Sequence, residues 1–231
     1  MKHLRLYIQN LLREMAAPST DHSDTVYYHG TPIEKYAKSI MSAGEIKPPD
    51  LSNRSGPLRP VDGMVYITPS IATVQMYALG GDMAGHGTSK LEEKYGRYGY
   101  VFAIAGKDLS NIHPDEDSIG EMIYNKEVPW LDQMAKYYLE EEPYDDEGQG
   151  LGYYSLYDAL VGGEYDAFAT GGRYLVDVMS DEEKLSLIDM GADIAHEGPL
   201  KPMAVYRLDR RKSKLLKRDG SNFFDIAEKV K

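Results

Sequence analysis

The 231-residue chain contains no cysteine, so it can carry no disulfide framework, no thiolate-bound metal and no nucleophilic thiol. Any chemistry falls to histidine, carboxylate, hydroxyl or backbone groups. No apolar run approaches the length of a membrane span, and Gln9, Asn10, Arg13 and Glu14 interrupt the opening MKHLRLYIQNLLREMAA, which argues against a signal-peptide core. Positive charge is short as well. A net charge of −11 disfavours broad attraction to nucleic acid or to an anionic membrane. A phosphate loop is missing, because GHGTSK has neither the glycine spacing nor the terminal Gly-Lys-Ser/Thr. These absences predict a cytoplasmic protein that does not engage membranes, the host cytoplasm if the source is viral.

What is present is an ordinary globular composition, 42% hydrophobic and 27% charged, which predicts one main domain with short additions. Leu4, Ile8, Leu11, Leu12 and Met15 recur at helical spacing, giving an amphipathic helix over 1–16 and a polar linker over 17–23. A β-rich stretch from Thr25 to His29 reads as a strand. Pro32 then opens a helix capped by Thr31 and stopped by Gly44. MVYIT is a second strand, followed by the helix PSIATVQMYAL, again opened by proline after threonine. The glycine-rich 80–99 segment reads as a mobile flap, and YVFAIA as a third strand. Trp130 to Leu139 reads as a helix, the acid-rich EEEPYDDE as a solvated loop, and YDAFAT and RYLVDVM as separate elements. SDEEKLSLIDMG carries helix-boundary chemistry at both ends; ADIAHEG and MAVYRL are late strands, and 210–231 a basic exposed tail.

Three groups of residues carry candidate chemistry. In YYHGT, an imidazole, His29, stands beside Gly30, whose lack of a side chain lets a ligand approach the backbone amide groups. Tyr66 on the second strand and Tyr77 on the following helix are placed to hold a flat heterocycle between two rings. A carboxylate is needed if a glycosidic bond is to break, because positive charge develops on the sugar. Glu197 in a late strand suits that need; Glu127 in YNKEV, Glu121 and Asp193 remain alternatives. His113, Asp115, Asp117 and Glu121 are metal-ligand types, but their spacing does not match a calcium loop and acids at a turn commonly cap a helix, so no metal is assigned.

YHGT on one strand with VYITPSIATVQMYA on the next strand and helix resembles the ADP-ribosyltransferase superfamily, in the histidine-tyrosine-glutamate branch that includes diphtheria toxin and the poly(ADP-ribose) polymerases. The resemblance implies an α+β domain over about 24–209, built as a split sandwich of two small, mostly antiparallel sheets around an NAD cleft with flanking helices. It implies that His29 bonds the adenosine ribose, that Gly30 bonds the nicotinamide carboxamide through its backbone, that Thr31 completes the motif, and that Tyr66 and Tyr77 flank the nicotinamide. Val74, three residues before the second tyrosine, departs from the small serine or alanine often found there. Glu197 becomes the catalytic carboxylate and NAD the co-substrate of a glycosyltransferase-class enzyme. The acceptor is a macromolecule, with protein favoured over nucleic acid. Alternatives are an NAD-dependent enzyme resembling the RNA 2′-phosphotransferases, an inactive NAD binder, and a virion or scaffold protein. LRLYIQNLLRE resembles short helices that open many tailed-phage proteins.

Overall fold

The computed structural model of the chain describes residues 22–49, 61–81, 88–144 and 154–231. The amphipathic helix expected over 1–16, most of the linker, residues 50–60 and the end of the acid-rich loop lie outside them. The sequence reading places one domain over 24–209 with a tail behind it; the chain instead forms two compact units, and residues 210–231 belong to the first.

Apart from His113, Pro114 and Ile194, which group with the second unit, the first unit holds strands β1 (Val26–Thr31), β2 (Met64–Ile67), β3 (Tyr98–Ala105), β4 (Ile112–Pro114), β7 (Ile194–Glu197), β8 (Ala204–Asp209) and β9 (Glu228–Lys229). They form two mostly antiparallel sheets of order β1-β3-β8-β9 and β2-β7-β4. Tyr28 and Thr68 bridge the two, exchanging backbone bonds of 2.8 and 2.9 Å. Alternation along β1 and β3 puts Tyr27, His29, Thr31, Tyr100, Phe102 and Ile104 on one face and Tyr28, Gly30, Gly99 and Val101 on the other. Helix α1 (Glu34–Ala43) follows β1 and buries Ala37 and Ile40. Helix α2 (Ile71–Leu79) lies on the Gly30 face, where Val74, Ala78 and Leu79 pack with Val101, Leu208 and Phe223.

Both helices start later than the sequence suggests. Thr31 Oγ1 accepts from the Ile33 N–H at 3.3 Å, but the N-cap of α1 is Ile33, which offers no side-chain bond. For α2 the cap is Ser70, whose hydroxyl accepts from Thr73 N–H at 3.1 Å, while Thr68 bonds the Ser70 N–H. A threonine before proline therefore shapes the turn into each helix and does not cap it. Within the expected flap, residues 88–95 form a helix, α3 (Thr88–Tyr95), tied by Glu92 to Arg211 at 2.8 Å.

The carboxy-terminal residues are not an exposed tail. Arg210 is 1% exposed, a 3-10 turn runs from Arg210 to Leu215, Phe223 is buried in the α2 cluster, and β9 adds the outer strand of the first sheet. Gln75 on α2, fully buried, donates to the Lys217 carbonyl at 2.7 Å and fastens this segment across the helix.

The second unit is helical. Helices α4 (Glu116–Tyr124), α5 (Pro129–Leu139), α6 (Leu156–Gly162), α7 (Tyr165–Val178) and α8 (Asp181–Asp189) surround Trp130, Ile119, Ile123, Leu131 and Leu175. A short hairpin, β5 (Pro143–Tyr144) with β6 (Tyr154–Ser155), precedes α6. YDAFAT and RYLVDVM are one helix, continuous through Gly171 and Gly172. Those glycines carry the close crossing: a Cβ at Gly172 would collide with the Glu116 carbonyl, and one at Gly120 would lie 2.5 Å from Phe168 Cβ. Ser180 and Glu183 form the expected capping box of α8.

Candidate functional site

The residues that position the candidate site lie in the first unit, around the point where its two sheets part. Because Tyr28 directs both its backbone groups to Thr68, and alternate residues of a strand point the same way, the N–H and C=O of Gly30 also face the edge of β1 away from β3. Beyond the Tyr28–Thr68 bridge that edge has no further strand partner among the described residues. Gly30 thus presents one donor and one acceptor side by side, the pair a primary carboxamide complements.

The absence of a side chain at Gly30 also serves the packing of the helix on the strand. A Cβ there would stand 2.8 Å from the Val74 carbonyl and 3.0 Å from both Val74 Cγ2 and Tyr77 Cβ. Glycine lets α2 approach the strand, and that approach sets Tyr77 directly beside the open backbone edge. The Tyr77 side is solvent-facing, 51% exposed, whereas Val74 is fully buried. Position 74 therefore belongs to the strand–helix contact.

His29 sits on the other face of β1. Its Nδ1 lies 2.9 Å from the Tyr66 carbonyl, and since a carbonyl only accepts, Nδ1 carries the proton. Burial pushes the imidazole below its ordinary value, against the smaller opposite pull of the Tyr66 bond. A neutral ring protonated at Nδ1 leaves Nε2 as a bare acceptor, and Nε2 is shielded and, among the described residues, without a hydrogen-bond partner. Such a buried acceptor is costly unless something completes it. Tyr66, on β2, is half-buried, and its hydroxyl accepts from the Val61 N–H at 2.9 Å. Thr31 is buried at the end of β1 and bonds locally.

Glu197 closes β7 and is exposed. The Gly198 N–H bonds the Gly63 carbonyl at 2.9 Å, and β7 lies next to β2 in the three-stranded sheet. The structure therefore sets His29 against the Tyr66 carbonyl, Gly30 against Tyr77 Cβ, and Glu197 on the strand beside that of Tyr66.

The alternative carboxylates belong to the second unit. Glu127 lies in the turn between α4 and α5, where Asn125 Nδ2 donates to it at 3.3 Å, and Glu121 is exposed on α4. Asp193 precedes β7, and its N–H bonds the Ser118 hydroxyl. Among the described residues no three histidine or acidic side chains are arranged to hold a metal ion. Asp115 is the N-cap of α4, accepting from the Asp117 N–H at 2.9 Å. Burial first, then the charges of Asp117, Glu116 and Asp193, push its carboxyl up to about 8. A folded-state pKa above the unfolded one favours the folded chain when the group is protonated. That contribution is complete below about pH 4 and is lost as pH rises toward about 8. Asp115→Asn keeps the accepting oxygen without the charge, so it should stabilise the chain by ~1–2 kcal/mol at pH 8 and have little effect at pH 4. Urea unfolding at the two pH values measures it; equal shifts at both would show that the carboxylate is not strained.

Sequence reasoning missed Arg210, assigned to a solvated tail. Its guanidinium donates to the carbonyls of Gly96 and Pro32, each at 2.6 Å, and of Ala78 at 3.2 Å. No local signal marks it, since its partners lie more than a hundred residues away in sequence.

Comparison with known proteins gave no matching family profile, no matching curated protein and no matching solved structure.

Proposed function

We propose that the chain transfers ADP-ribose from NAD to a macromolecular acceptor and releases nicotinamide. The observation that carries this reading is a neutral His29 whose Nε2 has no hydrogen-bond partner among the described residues, next in sequence to Gly30 with its outward-facing amide groups. An acceptor suited to a sugar hydroxyl and a donor–acceptor pair suited to a carboxamide are the two complements NAD offers together. Tyr77 supplies an exposed ring next to Gly30 for the nicotinamide face.

In this reading the bond between the ribose anomeric carbon and the nicotinamide nitrogen breaks, and its electron pair leaves with neutral nicotinamide. The acceptor's nucleophile then bonds the anomeric carbon and loses a proton. Glu197 stabilises the cationic sugar during the exchange. Because His29 Nε2 is shielded in the unliganded chain, engaging it requires its cover to open, so binding should be accompanied by local rearrangement.

Labelled NAD offered with lysate proteins and with nucleic acids, with nicotinamide release followed alongside, tests the activity. Absence of both transfer and release would remove the reading. Tyr77→Ala tests the pocket: losing one stacking face should weaken NAD binding by ~1–3 kcal/mol with the fold intact. Unchanged affinity by calorimetry would show that the ring does not touch the nucleotide.

A further inference from the structure

We propose that Arg210 is a positioning residue of this cleft, fixing the Tyr77 ring against the Gly30 edge; the inference rests on the NAD-binding reading above. Three segments converge on its buried guanidinium. Pro32 lies two residues after Gly30, Ala78 immediately follows Tyr77, and Gly96 ends α3. One side chain thus ties the segment leaving the amide edge to the helix turn that carries the ring.

The arrangement also explains how a cation is tolerated at 1% exposure with no carboxylate bonded to it among the described residues, the charges of Glu34 and Glu92 acting from farther off. Ala78 is in the last turn of α2, and Gly96 follows the last turn of α3. Both carbonyls sit at helix C-termini, where unsatisfied oxygens and the aligned peptide dipoles carry partial negative charge. Arg210 therefore caps two helices at once, with the Tyr95 ring 5.9 Å from its centre. The planar fork serves three acceptors in fixed directions, which a lysine ammonium on a flexible stem does not reproduce. Gly99 leaves room for the same carbonyl, since a Cβ there would strike Ala78 O.

The test uses the full chain with 3-fluorotyrosine at position 77, as parent, Arg210→Lys and Arg210→Met. Arg211→Gln, which breaks only the exposed pair with Glu92, is the matched control. Arg210→Lys should remain cooperatively folded, shift or broaden the fluorine resonance without ligand, and bind NAD about tenfold more weakly; Arg210→Met should exceed it in both, and Arg211→Gln should match the parent. A folded Arg210→Lys with parental resonance and affinity would overturn the proposal, and so would failure of both Arg210 variants to fold, which would make the residue a requirement of the fold alone. If the parent itself does not bind NAD, the functional reading falls, while the resonance comparison still decides whether Arg210 places the ring.

Discussion

Glu197→Gln is expected to lower ADP-ribose transfer by roughly 10²–10³, equivalent to about 3–4 kcal/mol of transition-state stabilisation, while NAD affinity stays near that of the parent. The split follows from when charge appears. Bound NAD carries no full cation on its nicotinamide ribose carbon, so a carboxylate there does little for the ground state, whereas bond cleavage puts positive charge on the sugar. Glutamine keeps the shape and a hydrogen bond but not the charge. Glu197 is exposed at the end of β7, so the exchange should not disturb the core. Glu121→Gln and Glu127→Gln, both in the helical unit, are the controls and should leave the rate unchanged. Loss of rate in Glu127→Gln alone would transfer the role to that residue. A Glu197→Gln chain with parental turnover would leave the proposed chemistry without its carboxylate.

The parts of the fold legible in the sequence are those fixed by near neighbours. β1, the β2–α2 unit, β3 and the two late strands β7 and β8 announce themselves by β-branched and aromatic runs bounded by turn residues, and α8 by its capping box. The YHGT and tyrosine positions could be chosen because each sits on such an element. What was hidden depends on distant partners. KLEEKY lacks an apolar period, so α3 could not be separated from a glycine-rich flap; Arg210 at its end supplies what the local pattern does not. Gly171 and Gly172 read as a break because each costs about 1 kcal/mol in a helix, yet close packing on α4 and α6 holds α7 continuous. Gly30 shows the same limit within the site itself. The residue type was right for the place, but its physical reason, the approach of α2, could only be seen once the helix was in position.

That reason gives the other large expected effect. Gly30→Ala should destabilise the chain by ~1–3 kcal/mol and weaken NAD binding at least tenfold. The new methyl would meet the Val74 carbonyl at 2.8 Å, and Val74 Cγ2 and Tyr77 Cβ at 3.0 Å. Backbone cannot rotate away as a flexible side chain does, so α2 must withdraw from β1. Withdrawal separates Tyr77 from the open N–H and C=O of Gly30, so stability and recognition should fail together. Adding Val74→Ala removes the Cγ2 contact but not the carbonyl contact, and so should recover part of the stability without restoring the affinity. Gly162→Ala is the control, because Gly162 ends α6 with open space where its Cβ would stand; it should leave NAD binding untouched. Chemical denaturation and calorimetry on the four chains read both quantities. A folded Gly30→Ala chain that binds NAD like the parent would mean that the strand edge and the ring beside it are not where the nucleotide sits.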